Sequence, residues 1–192
     1  KRQGEVREIL MNLVGPFRPK WRLHTNVTGV IQKDGFRVEK LVYESIGDFF
    51  VPGCIYIPDG ITGKRPAILF VSGHTRSAFR YDSYQKAILN LVKKGFIVYA
   101  IDPLGQGERL QYFDFDKMAS AVGGPTREHL YAGNQCFLSG VSIARYFIYD
   151  GMRAIDYLLT RDDVDPDRIG LIGQSGGGTQ TAYIAAFDER VK

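Results

Sequence analysis

Ile169-Gly170-Leu171-Ile172-Gly173-Gln174-Ser175-Gly176-Gly177-Gly178 is an apolar run that ends in Gly-x-Ser-x-Gly, and Thr179 to Phe187 follows with helical composition. Strand, tight turn, helix is the order in which a chain lifts a serine hydroxyl clear of the end of a sheet. So sharp a turn leaves no room for side chains beside the serine, and Gly173, Gly176 and Gly177 meet that demand. Ser175 is therefore the candidate nucleophile, with the N–H of Gly176 aimed at the oxygen of a bound acyl group. Gly-x-Ser-x-Gly alone is also the composition of an ordinary glycine–serine turn; the strand before it and the helix after it argue against that.

Working outward from the elbow, Ile143, Phe147, Ile148, Ile155 and Leu158 mark a long helix through about Leu159, a turn spans 162–167, and Arg168–Ile172 reads as a buried strand. Two more continuous apolar runs, Ala67–Val71 and Phe96–Ile101, read as strands buried on both faces. Between them Tyr84, Ala87, Ile88, Leu91 and Val92 share one helix face, closed by Lys93-Lys94-Gly95. Residues 104–140 read as an irregular insertion rich in glycine and aromatics. Further upstream the period changes: Val27–Gln32, Phe36–Ser45 and Phe50–Ile57 are strand-like runs separated by Lys33-Asp34-Gly35 and Gly47-Asp48, an antiparallel lead-in. Val6, Ile9, Leu10 and Leu13 predict a leading helix over Gly4–Val14, broken by Gly15-Pro16 and Arg18-Pro19. Buried strands alternating with helices predict an α/β protein: a mostly parallel sheet with helices on both faces, preceded by the antiparallel lead-in. Residues 1–26 are expected to form a helix and linker, and 27–192 the domain, with its insertion at 104–140.

Bulk properties narrow the partners. The chain of 192 residues is about one domain's worth, with 44% hydrophobic and 24% charged residues. Its formal charge of +4, from 25 basic and 21 acidic residues, is spread without runs, so no nucleic-acid partner is expected. No apolar run approaches a bilayer-spanning length, so no membrane partner is expected either. Cys54 and Cys136 form neither a metal spacing nor a disulfide framework, and Cys54, in a strand-like run, reads as a small buried thiol. Asn26-Val27-Thr28 matches a glycosylation sequon, a pattern short enough to arise by chance. The chain opens at Lys1 rather than Met; that leaves the compartment open and leans toward a secreted or periplasmic protein whose leader has been removed.

Other motifs fall around the same sheet end. Gly73-His74-Thr75 follows the first apolar strand, where this architecture places the second oxyanion donor, and the backbone N–H of His74 is assigned that role against its being a plain loop histidine. Asp102-Pro103-Leu104-Gly105-Gln106-Gly107-Glu108-Arg109 lacks the third glycine of a dinucleotide fingerprint, and reads as a turn in which a Glu/Arg pair fixes a loop beside the site. There is no Gly-Lys-Ser/Thr, so no phosphate loop; no metal or organic cofactor is implied. Glu128-His129 and the run Tyr131 to Gln135 are polar groups that either contact substrate or pack the loop.

A serine nucleophile needs an imidazole base, and the base a carboxylate, in the chain order Ser, Asp/Glu, His. The histidines are His24, His74 and His129, all before Ser175, and after it the acids are only Asp188 and Glu189. The triad acid and base are therefore expected beyond residue 192, and the strand at 168–172 is left without outer neighbours, an edge liability that reads as a fragment of a longer polypeptide.

Five stretches together carry a resemblance: Val27-Thr-Gly-Val-Ile-x-x-Asp-Gly-Phe, Phe70-Val-Ser-Gly-His, Asp102-Pro-Leu-Gly-Gln-Gly-Glu-Arg, Glu128-His-x-Tyr-Ala-Gly-Asn-Gln-Cys, and Asp165-Pro-Asp-Arg-Ile-Gly-Leu-Ile-Gly-Gln-Ser-Gly-Gly-Gly. The chain resembles the acetyl xylan esterase-like α/β-hydrolases, related to the cephalosporin C deacetylase/acetyl xylan esterase group, from about residue 25 to its end. That resemblance implies an α/β-hydrolase fold truncated after the nucleophile helix, Ser175 as nucleophile, and Gly176 and His74 as oxyanion donors. It also implies a loop at 105–109 that supports the site. The implied activity is deacetylation of a small-molecule or carbohydrate ester through a Ser acyl-enzyme. Two alternatives stand beside it: a prolyl-oligopeptidase-like serine peptidase, and a non-catalytic protein that keeps the fold for binding.

Overall fold

The computed structural model describes residues 2–17 and 22–192; the expected break at Arg18-Pro19 lies outside them. Helix α1 (Arg2–Val14) buries only Val14 fully and leaves Val6, Ile9 and Leu13 exposed, so the apolar spacing of this helix is not matched by a covered face. It lies against the last helix of the chain: Arg7 Nε donates to the Ala186 carbonyl at 3.0 Å, and Phe17 meets Phe187 edge-on with centroids 5.0 Å apart.

Strands β1 (Thr25–Lys33), β2 (Phe36–Ile46) and β3 (Phe49–Pro58) form the antiparallel meander. Lys33 pairs with Phe36 across the two-residue turn Asp34-Gly35, where Gly35 takes φ 80°, a left-handed conformation that costs glycine little. After β3 the chain alternates. Strand β4 (Arg65–Val71) leads through a single 3-10 turn at Ala78–Arg80 into helix α2 (Asp82–Lys93), and β5 (Ile97–Ile101) follows. A small hairpin, β6 (Phe113–Asp114) with β7 (Ala119–Ser120), precedes α3 (Pro125–Leu138). Helix α4 (Ala144–Leu158), strand β8 (Val164–Gly173) and helix α5 (Gly176–Phe187) complete the chain.

The main sheet runs β1-β2-β3-β5-β4-β8. The first three strands and the β3–β5 seam are antiparallel, while β5, β4 and β8 are parallel. Two apolar layers sandwich it. On one face Tyr84, Ile88 and Val92 of α2 pack with Phe70, Val98 and Ala100. On the other, Ala154, Ile155 and Leu158 of α4 and Ile184 of α5 pack with Leu69, Tyr99, Ile101 and Ile169. Covering both faces is why β5 is buried at every residue and reads as an unbroken apolar run.

Three local expectations are corrected. Residues 104–140 are not irregular throughout: they contain the β6–β7 hairpin and the 14-residue helix α3. The helical period was hidden because α3 buries Glu128 and Gly133 and turns Leu130, Tyr131, Phe137 and Leu138 outward, the reverse of the usual amphipathic pattern. The expected turn at 162–167 is confined to residues 162–163; residues 164–167 lie in β8, at a break in register where Val164 pairs with Arg65 and pairing resumes at Ile169 with Ala67. Lastly, β8 is not buried on both faces. It stands at the border of the sheet, as its missing outer neighbours led one to expect, but leaves Ile172 exposed; among the described residues its outer side is bridged at Ile169 by Val191, with Lys192 N–H donating to the Ile169 carbonyl at 2.9 Å.

Candidate active site

The elbow is visible in the backbone. Ser175 has φ 53° and ψ −122°, a sparsely populated region for a residue with a side chain, worth about 1–3 kcal/mol of strain. What holds it there is contact on all sides. A Cβ on Gly173 would come within 2.6 Å of Thr181 Oγ1, and one on Gly177 would enter the Val71 carbonyl and lie 2.7 Å from that of Ser72. Gly177 N–H donates to the Gln174 carbonyl at 2.9 Å, which closes the turn, while the bare Cα of Gly177 packs against the carboxyl end of β4 at Val71. The outcome is an exposed serine standing at the helix N-terminus, above the parallel strands.

The loop after β4 meets the elbow. A Cβ on Gly73 would lie 2.7 Å from the Gln174 carbonyl and 3.2 Å from Ser175 Cβ; its N–H donates to the Tyr84 hydroxyl at 3.2 Å, which ties the loop to α2. The His74 ring covers the first residue of α5: a Cβ on Gly176 would sit 2.5 Å from His74 Cε1 and 2.8 Å from Nδ1. Among the described residues neither the His74 N–H nor the Gly176 N–H has an acceptor, and Ser175 Oγ has no partner. Thus Ser175, Gly176 and His74, the three residues singled out in the sequence, lie together.

His129, half-buried on α3, joins them. His74 Nε2 and His129 Nδ1 are 2.9 Å apart, and His129 Nε2 lies 2.6 Å from the Leu104 carbonyl. Partial burial disfavours the charged ring and lowers the titration of both histidines below the ordinary 6.5; for His129 the Leu104 carbonyl opposes this and His74 adds to it. A cavity of about 220 Å³ opens here, bounded by the two histidines, Gly176, Phe147, Ile148 and Tyr183. A larger hollow of about 440 Å³ between α1 and α5 touches none of these groups.

Behind the site, the loop at 102–109 is a brace. Buried Asp102 accepts from Arg80 Nη1 through both oxygens at 2.8 Å and from the Glu108 N–H at 3.0 Å. A Cβ on Gly107 would lie 2.6 Å from Asp102 Oδ1, so the loop can wrap the carboxylate only with glycine there. The expected Glu/Arg pair is not formed between neighbours: Glu108 pairs with Arg80 at 2.7 Å, whereas Arg109 reaches Asp150 on α4 at 2.7 Å, both nearly solvent-free. Adjacent side chains point to opposite sides of the loop, which spacing alone does not show. Glu128 and His129 also part company. Fully buried Glu128 accepts from the Gln111 N–H at 2.8 Å and from Ser120 Oγ, fastening the hairpin, while His129 turns to the site. Asp188, an acid following the serine, is occupied by Arg190 at 2.5 Å. The contribution of Tyr84 and the His74–His129 contact were not foreseen; the only available signal was that two of the chain's three histidines fall after strands or in the insertion on the elbow side. Among the described residues no group of three or more His, Cys, Asp or Glu could hold a metal ion, and no helix is long and apolar enough to cross a membrane.

A serine raised on a strained strand-to-helix turn, above parallel strands with helices on both faces, defines an α/β-hydrolase. More narrowly, the chain belongs to the acetyl xylan esterase family (AXE1), whose profile matches residues 22–192. It is 27% identical over 203 residues to the protein YtaP of Bacillus subtilis (strain 168), covering 99% of this chain and 62% of that protein. Two solved structures share the fold. BF1801 of Bacteroides fragilis NCTC 9343 superposes with a TM-score of 0.81 at 21% identity, over 98% of this chain and 50% of its own. Acetyl xylan esterase 1 of Thermoanaerobacterium sp. JW/SL YS485 gives 0.63 at 19% identity, over 100% and 56%. The chain thus spans between half and under two thirds of the length of these relatives.

Proposed function

We propose that the protein is a serine carboxylic-ester hydrolase that deacetylates a carbohydrate. The observation that carries this is the elbow: an exposed Ser175 held at φ 53° by glycines that cannot be replaced, with two unpaired N–H groups beside it. Strain kept in place by the packing of several elements is the mark of a position selected for chemistry rather than for stability. Family membership over residues 22–192 supports an ester as substrate, and the acetyl xylan esterase among the structural relatives supports a sugar as its alcohol half.

In this reading Ser175 Oγ attacks the ester carbonyl. The Gly176 and His74 N–H groups hold the oxygen that becomes negative, each worth about 2.7–4 kcal/mol of transition-state stabilisation. The serine proton passes to an imidazole, which hands it to the departing sugar hydroxyl; water then releases acetate by the same steps in reverse order. None of His24, His74 and His129 hydrogen-bonds to Ser175, and Asp188 is taken by Arg190. The base and its acid are therefore assigned to sequence following Lys192, in the order the fold uses.

The test is Ser175→Ala in the full-length protein. Acetate release from an acetylated xylooligosaccharide should fall on the order of 10⁴-fold or more with the fold unchanged by circular dichroism. Activity retained within tenfold would remove Ser175 from the chemistry.

A further inference from the structure

Resting on the assignment of Ser175 as an esterase nucleophile, we propose that the His74 side chain selects esters of polyols. The bare Nδ1 of its imidazole accepts a hydrogen bond from a free hydroxyl on the alcohol half of the substrate, and His129 is the positioning residue that keeps Nδ1 bare.

The proton inventory leads there in three steps. The Leu104 carbonyl can only accept, so His129 Nε2, 2.6 Å away, carries a hydrogen. A neutral ring has one N–H, so His129 Nδ1 is an acceptor, and His74 Nε2 at 2.9 Å must be the donor. His74, neutral in turn, is left with a lone pair on Nδ1. That atom has no hydrogen-bond partner among the described residues, Ser175 Oγ included, so His74 is an acceptor facing the cavity rather than the base for the serine.

The location of Nδ1 determines what it can meet. It lies 2.8 Å from the point that a side chain on Gly176 would occupy, so the glycine keeps open the space in front of it. His74 and Gly176 border the same cavity of about 220 Å³, whose walls include Ile143, Phe147 and Ile148. An acceptor that loses its water when substrate enters favours a ligand that returns a donor, and a site built this way discriminates against analogues lacking one. An acetyl group has no donor, and neither does the ester of a simple alkanol. A sugar ester has one, a hydroxyl on the carbon adjacent to the one that bears the esterified oxygen. The His74–His129 contact thus turns a general acyl-transfer elbow into one that reads the alcohol.

Two measurements on the full-length protein decide it. The first is the ratio of kcat/KM for a mono-acetylated methyl β-xylopyranoside to that for its counterpart with the remaining hydroxyls methylated; a ratio cancels general damage to the oxyanion loop. His74→Phe should lower the ratio about 10-fold, the size of one hydrogen bond, and His129→Phe about 3-fold, since His74 is then free to change tautomer. An unchanged ratio in His74→Phe overturns the proposal, whether or not both rates fall. The second needs no turnover. Nitrogen-15 spectra of Ser175→Ala should show both histidines protonated at Nε2, with the His74 Nδ1 resonance moving on addition of methyl β-xylopyranoside and staying in place with its fully methylated form. A His74 protonated at Nδ1, or no movement with the free sugar, contradicts the proposal. If wild-type protein releases acetate from neither ester, the esterase assignment fails, and the spectra still judge His74.

Discussion

The antiparallel meander and the carboxyl end of the parallel strands use the same residue for opposite purposes. In the turns around the meander, Gly35 and Gly60 have nothing within 4 Å of where a Cβ would stand, and serve only a positive φ, 80° and 64°. At the parallel end Gly73, Gly173, Gly176 and Gly177 have no positive φ, yet each would drive a Cβ into a neighbouring element. In one region glycine is chosen for backbone conformation, in the other for space. The only positive φ at the elbow belongs to Ser175, which has a side chain and therefore bears the strain. A turn that needs conformation relaxes when it is altered, whereas a junction that needs space has nowhere to relax to.

That contrast can be broken by substitution. Gly177→Ala places a methyl in the Val71 carbonyl and should destabilise by about 4 kcal/mol or more, seen as a collapsed urea midpoint or insoluble protein. Arg109→Met, which strands the buried Asp150 carboxylate behind the elbow, should cost about 3–5 kcal/mol by the same measurement. Gly35→Ala meets no atom and should cost only about 1–2 kcal/mol, from its φ. Gly4→Ala, inside exposed α1 with open space around it, should stabilise by about 0.5–1 kcal/mol. Equal losses for Gly35→Ala and Gly177→Ala would erase the distinction.

A pH titration sharpens it further. His74 and His129 both titrate below the ordinary 6.5 because burial penalises the charged rings. The unfolded chain therefore takes up protons first as pH falls below about 6.5, so their contribution to stability is full above that value and declines beneath it until the folded rings titrate too. Urea midpoints between pH 8 and 5.5 should show this decline, and a His74→Asn, His129→Gln variant should be flatter.

The elbow was legible in the sequence because its demands are local: apolar strand, three glycines and a serine must stand in one order. The buried strands β4 and β5 were legible for a similar reason, as unbroken apolar runs. Helix α3 was not, since it inserts a glutamate and shows its large apolar residues outward. The edge position of β8 was legible from the missing strands after the elbow, but its partial exposure was not, because its apolar run carries the same composition as a strand covered on both sides. Ser175, Gly176 and His74 were readable as a set through the loops at the ends of strands. The His74–His129 contact joins residues 55 positions apart, and the direction of each proton depends on the Leu104 carbonyl, which is backbone and carries no mark in the sequence.

The most direct measurement is labelling of the full-length protein with a fluorophosphonate, read by intact mass and by peptide mapping. One stoichiometric adduct on Ser175, absent from Ser175→Ala, is the predicted result. A folded, full-length protein that takes no adduct, or takes it on another residue, would contradict the assignment of this elbow as a working nucleophile.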